Sequence, residues 1–150
     1  MTTISGPVHT LADVDGITAP ESPCPSATRP GELIFVSRQG SFDNTDAVTP
    51  DGIRTQTECS LTRLARALLA FDARLDDVVS ATEYRAGVRL GGAFNTVWKD
   101  AFGDHRTSRA LVVTELLDPA LLVEVQAVAL IPRARNGKRA ALQAHSEAKQ

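Results

Sequence analysis

Leu121-Leu122-Val123-Glu124-Val125-Gln126-Ala127-Val128-Ala129-Leu130-Ile131 is the stretch that decides the fold. Read with a period of two, it separates into two rows. Leu121, Val123, Val125, Ala127, Ala129 and Ile131 form an unbroken apolar row, as expected of a strand that meets helices on that side. The other row is Leu122, Glu124, Gln126, Val128 and Leu130. It is too apolar to face water freely and yet carries a carboxylate. Such a row predicts an association surface with a charged group set into it.

Upstream, Arg109 to Glu115 reads as another strand, and Leu117-Asp118-Pro119 between the two has turn chemistry. Together they predict an antiparallel hairpin. With its tip near Leu117, Glu124 falls opposite Leu111, and Arg109 lies two residues further along the same face. Diagonal neighbours of that kind are roughly 7–8 Å apart between Cα atoms, near enough for two long side chains to share a ligand. A slip of one residue would put them on opposite faces instead. The pair has two readings. One is a salt bridge in an interface. The other is a site in which Arg109 grips a carboxylate by two parallel hydrogen bonds and Glu124 orients or deprotonates a water.

Further upstream the period changes. Thr57, Leu61, Leu64, Leu68, Phe71 and Leu75 follow helical spacing from Ile53 onward, with Arg54, Glu58, Thr62 and Arg66 on the other side. Leu33 to Gln39 and Val78 to Ala86 read as strands. Gly87, Gly91 and Gly92 end the second, and Ala93 to Phe102 forms a shorter helix whose stripe is Phe94, Val97, Trp98 and Phe102. That stripe is read as core rather than as a ligand pocket. The order strand, helix, strand, helix, strand, strand predicts an α+β fold, one mixed sheet with both helices on one face.

The flanks differ in kind. Residues 1–32 carry five prolines, which exclude a long helix and predict extended chain with a short edge strand near Val8 to Leu11. Residues 33–132 make the domain, and 133–150 form a basic tail, read as solvated, partly helical or disordered and flexible rather than as an RNA-binding arm. A net charge of −2 gives no general attraction for nucleic acid or anionic membrane, so neither is an expected partner. No signal peptide is read at the N-terminus, and no apolar run is long enough to span a bilayer. Two scattered cysteines, Cys24 and Cys59, suit a reducing compartment, and the expected location is the cytoplasm. His9, His105, His145 and the cysteines show no metal-ligand spacing, so no metal is expected.

Six segments, in order, resemble the reactive intermediate deaminase (Rid, or YjgF) family over roughly residues 23–133. Leu33-Ile34-Phe35-Val36-Ser37-Arg38-Gln39 resembles its apolar strand ending in Ser-Gly-Gln, and Gln56 with Leu61 and Leu64 matches its first helix. Asp77-Val78-Val79 is similar to the entry of its next strand, and Asn95, Trp98 and Phe102 to its second helix. Ser108-Arg109-Ala110 stands where the family has Pro-Ala-Arg-Ser, and Val123-Glu124-Val125-Gln126-Ala127 resembles Val-Glu-Ile-Glu-Ala. The resemblance implies a chorismate mutase-like homotrimer with clefts between subunits. There the family's arginine holds the carboxylate of a 2-imino or 2-enamino acid and its glutamate assists water, roles that fall on Arg109 and Glu124. Ser37, Arg38, Gln39, Cys24, Asn95 and Leu111 are the implied substrate-binding residues. The products would be a 2-keto acid and ammonia, and no cofactor is needed.

Four departures stand out. Arg38 replaces the glycine of Ser-Gly-Gln, where it would block the pocket, grip an extra anionic group or point to solvent. Cys24 falls where many members have a tyrosine and is read as a reactive thiol or a small buried hydrophobe. Thr107 replaces a proline and Gly87 an aspartate. Four functions therefore compete: an imine deaminase, a biosynthetic enzyme acting on a larger or more acidic intermediate, a non-catalytic ligand-binding trimer, and a ribonuclease supported by the basic tail alone.

Overall fold

A computed structural model describes residues 24–131, the strand Val8–Leu11, and Val14 and Ile17. The proposed tail at 133–150 lies outside the described residues, as does most of the segment at 1–23. Among the described residues six strands form one sheet: β1 (Val8–Leu11), β2 (Ala27–Pro30), β3 (Leu33–Gly40), β4 (Val78–Arg85), β5 (Ser108–Val113) and β6 (Val123–Leu130). Their order is β1-β2-β3-β6-β4-β5. Every pairing is antiparallel except β4 with β5. Two helices, α1 (Ile53–Leu69) and α2 (Gly91–Phe102), complete an α+β fold with a mixed sheet.

The period-two row of β6 is buried as read: Val123, Val125 and Ala129 are fully inaccessible, and Leu121, Ala127 and Ile131 nearly so. They share one core with Leu61, Leu64 and Leu68 of α1 and with Phe94, Val97, Trp98 and Phe102 of α2. Within α2, Trp98 stacks on Phe102 with ring centroids 4.1 Å apart. The first helix stops at Leu69, before the periodic pattern ends. Asp72 turns the chain with a φ of 58°, yet Phe71 remains buried and Leu75 packs against the same core. Gly91 and Gly92, expected to lie in a break, open α2 instead. The Pro-rich segment contributes two strands rather than one, β1 at the edge and β2 between it and β3, and Ala27 of β2 is fully buried.

The expected hairpin does not form. β5 lies at the sheet edge, parallel to β4, while β6 inserts between β3 and β4. Asp118 does make a turn, accepting from the Ala120 amide on Oδ1 and from the Leu121 amide on its carbonyl. That turn, however, belongs to a crossover around the end of β4. The Thr114 amide donates to Arg85 O and the Ala86 amide to Leu122 O, so the chain wraps the terminus of β4. A strand with one wholly apolar face gains ladder partners on both edges in this central slot, which a hairpin at the sheet edge would not give it.

Candidate functional site

A bulge in β3 shapes a cleft. Val36 pairs with Ala127 and Gln39 with Val125, so Ser37 and Arg38 together stand opposite Gln126. A regular strand sends neighbouring side chains to opposite faces; the extra residue lets Ser37 and Arg38 both line one cleft. The bulge is pinned from outside, because the Ser37 amide donates to Ser26 O and its hydroxyl to Pro25 O at 2.7 Å. Glu124, Gln126, Cys24, Gln39 and Arg63 complete much of the wall of a cleft of about 500 Å³.

Glu124 is the charged centre of that cleft. It is 6% exposed, and burial raises its carboxyl above the ordinary carboxylate range. Arg38 opposes the shift: its Nη1 donates to Glu124 Oε2 at 3.0 Å, and its guanidinium lies 5.8 Å from the Tyr84 ring centre. Among the described residues, Glu124 Oε1 has no hydrogen-bond donor, so one oxygen is held by Arg38 and the other is left for a water or ligand. The Arg38 side chain is 42% exposed and at the same time paired with Glu124.

Arg109 lies elsewhere. It pairs with Ala81, which in turn pairs with Ala127 on the buried face of β6. Glu124 is three residues from Ala127 along an unbroken ladder and therefore lies on the other face. The two residues expected side by side are thus on opposite faces, two strands apart. Instead of Glu124, Arg109 meets Glu83, with Nε 3.3 Å from Oε2, and donates from Nη2 to Asn95 Oδ1 at 2.8 Å. Its guanidinium lies 5.1 Å from the Trp98 ring centre and 5.6 Å from that of Phe94. Asn95, Trp98, Arg106, Thr107 and Arg109 line a hollow of about 360 Å³.

The expected residues therefore divide. Ser37, Arg38, Gln39, Cys24 and Glu124 are brought together in the cleft. Arg109 and Asn95 touch each other, and Leu111 is two residues along β5 from Arg109. Cys24 is exposed in the single chain. Arg63, Phe42 and Leu117 line the cleft without having been expected as site residues. Arg63 had a signal: Gln56, Ser60, Arg63 and Ala67 form a second buried row on α1 beside Thr57, Leu61, Leu64 and Leu68. Burial depresses the Arg63 guanidinium, and Asp46 and Cys59 partly offset this. Phe42 and Leu117 come from loops and carry no periodic signal. Among the described residues, no three His, Cys, Asp or Glu side chains are grouped as a metal site would need.

The family model of endoribonuclease L-PSP matches residues 17–131. A RutC family protein of Pyrococcus abyssi is 29% identical over 111 residues, covering 73% of this chain and 87% of that protein. A RutC family protein of Pyrococcus horikoshii is 27% identical over 111 residues, with 73% and 88% covered. Among solved structures, a Mycobacterium tuberculosis member of the YjgF/YER057c/UK114 family is 32% identical, with a TM-score of 0.64 over 71% of this chain and 86% of that one. A Thermotoga maritima structure is 28% identical, with a TM-score of 0.77 over 83% and 98%. The match of six ordered segments, the mixed sheet and the two-helix layer all agree with these likenesses, and the chain belongs to the Rid (YjgF) family described by the endoribonuclease L-PSP model.

Proposed function

We propose that the protein hydrolyses a reactive 2-imino or 2-enamino acid to a 2-keto acid and ammonia, in a cleft completed by a second copy of the chain. The supporting observation is the separation of Arg109 from Glu124 onto opposite faces of the sheet. Each chain then carries two half-sites. One holds Glu124, Arg38, Ser37 and Gln39; the other holds Arg109 and Asn95. Association is favoured by apolar side chains left in water: Leu33, Phe35 and Leu130 on the face away from the helices, and Val112 on the open edge strand β5. A homotrimer, the assembly that the family resemblance implies, brings unlike half-sites together around a threefold axis.

In this reading Arg109 of one copy binds the substrate carboxylate, and Glu124 of another takes a proton from water. The water oxygen bonds to the imine carbon and the nitrogen is protonated. The C–N bond then breaks, releasing ammonia and leaving a carbonyl. A carboxyl raised by burial and held by Arg38 is suited to taking and returning that proton. Positioning and proton transfer suffice. A second reading is favoured by Arg38 and Arg63 in one cleft wall: a larger, more acidic substrate that engages both cations.

The test uses 2-iminobutanoate made in place by a threonine dehydratase, with its decay followed. Arg109→Ala should lose at least about tenfold in kcat/KM, the value of one charge-assisted contact. Arg109→Lys should not restore it, because an ammonium lacks the planar two-point grip. Glu124→Gln should lower turnover and leave ligand affinity nearly unchanged. Coexpressing Arg109→Ala with Glu124→Gln should restore roughly a quarter of the sites by random assortment of subunits. A mixed preparation as inactive as its parents would refute the shared cleft, and an inactive wild type would favour the more acidic substrate.

A further inference from the structure

Glu83 plays no part in the cleft, and it is the most deeply buried acid among the described residues. It stands on β4 with its side chain wholly out of solvent. Oε1 is 3.0 Å from Arg85 Nε and Oε2 is 3.3 Å from Arg109 Nε. Neither oxygen reaches hydrogen-bonding geometry, so the contacts are charge against charge. Arg85 is itself 4% exposed, and its guanidinium packs so closely on Gly91 that any side chain there would collide with it. Apolar residues of similar volume would fill such a position at no greater cost, because a buried ion pair must recover the desolvation of both charges. The pair therefore calls for a role beyond filling space.

Arg109 supplies one. It lies on a strand whose every residue is exposed, where a long side chain is free to wander. Glu83 meets its Nε, Asn95 accepts from Nη2, and Trp98 and Phe94 lie against its face. Among the described residues, Nη1 has no acceptor. The restraints thus take hold of one edge and one face of the guanidinium and leave its end for a ligand.

We propose that Glu83 is a positioning residue for Arg109: it anchors the Nε edge so that the end of the fork meets a ligand carboxylate, while Arg85 holds the Glu83 carboxylate in place. The proposal rests on the reading of Arg109 as the carboxylate-binding group. Glu83 and Arg85 touch no ligand. They act through the orientation of Arg109, which is fixed before the ligand arrives.

The chain has a single tryptophan, and Arg109 lies over it, so Trp98 emission reports where the guanidinium sits. The experiment compares Glu83→Gln, Arg109→Met and the double variant by Trp98 emission and by titration with 2-oxobutanoate. Glu83→Gln should shift the emission toward that of Arg109→Met, and the double variant should match Arg109→Met. Affinity for 2-oxobutanoate should fall about tenfold in Glu83→Gln, the loss of one charge-assisted contact, and no further in the Arg109→Met background. Replacing Glu83 and Arg85 together by leucine removes the buried charges as a unit, protects folding and should give the same two results. Emission unchanged by Glu83→Gln but altered by Arg109→Met overturns the proposal. So does an equal affinity loss in both backgrounds, which marks a purely structural role. If wild type does not bind 2-oxobutanoate, the carboxylate reading fails, while the emission series still decides whether Glu83 positions Arg109.

Discussion

Replacing Gln56 by leucine should loosen both loops that border the cleft. Gln56 is 1% exposed on the first turn of α1. Its Nε2 reaches Thr49 O at 3.2 Å, Asp51 O at 3.1 Å and Ala120 O at 2.8 Å, and its Oε1 accepts from the Leu122 amide at 2.8 Å. One side chain thus ties the loop after β3 to the crossover before β6. Leucine keeps the volume and removes all four contacts. The Leu122 amide loses its acceptor at a cost of about 1–3 kcal/mol, and the carbonyls, better placed to find water, add about 0.5 kcal/mol each. The sum, roughly 2.5–4.5 kcal/mol, is a large share of an ordinary domain's stability. Urea unfolding at fixed protein concentration measures it, and hydrogen exchange at the Leu122 amide should accelerate in parallel. A loss below about 1 kcal/mol with Leu122 still protected would refute the clamp, since the bonds would then have water-mediated substitutes.

Phe35, 43% exposed on the outer face, should be needed for assembly and not for folding. Light scattering should give a trimer for wild type and a folded monomer for Phe35→Asp; a monomeric wild type would remove the association argument. Trp98→Ala should cost about 3–5 kcal/mol, because it empties the stacked core of α2, and thermal unfolding will show whether the neighbours collapse to soften the loss. Because burial raises the Glu124 carboxyl, the folded chain keeps that proton to higher pH than the unfolded chain does. Its contribution is complete below the ordinary value of 4.5 and is lost as pH rises through the folded value, so stability falls across that window. Melting temperatures taken upward from pH 4.5 should fall less for Glu124→Gln than for wild type; parallel curves would contradict the shift.

The elements were legible because each carries its own period. The apolar row of β6, the stripe of α2 and the face of α1 are local patterns, and burial follows each of them. Pairing was not legible in the same way. Nothing within Arg109 to Glu115 states that its neighbour is Val78–Arg85 rather than the strand that follows it, because ladder hydrogen bonds come from backbone common to every residue. The turn at Asp118 is real, yet a turn reverses the chain without choosing its partner. That one misassignment moved Arg109 to the wrong face, and with it the pair on which a single-chain site depended. The bulge at Ser37 and Arg38 was equally silent, although it decides that two adjacent residues share the cleft. Glu83 was hidden by its setting, a lone acid in a strand whose counter-charges arrive from two other positions.

The central seat of β6 also bears on how the protein is made. Among the described strands it is the last to leave the ribosome, and both β3 and β4 wait for it. Until Leu130 has emerged, the nascent chain holds two incomplete sheet fragments with open edges, and their shared apolar face lacks Val123, Val125, Ala127 and Ala129. Closing the sheet requires contacts distant in sequence, which form late and leave sticky intermediates in the meantime. Chains stalled near Leu117 should therefore be protease-sensitive and held by chaperones, and resistance should appear only once the final strand is free of the exit tunnel.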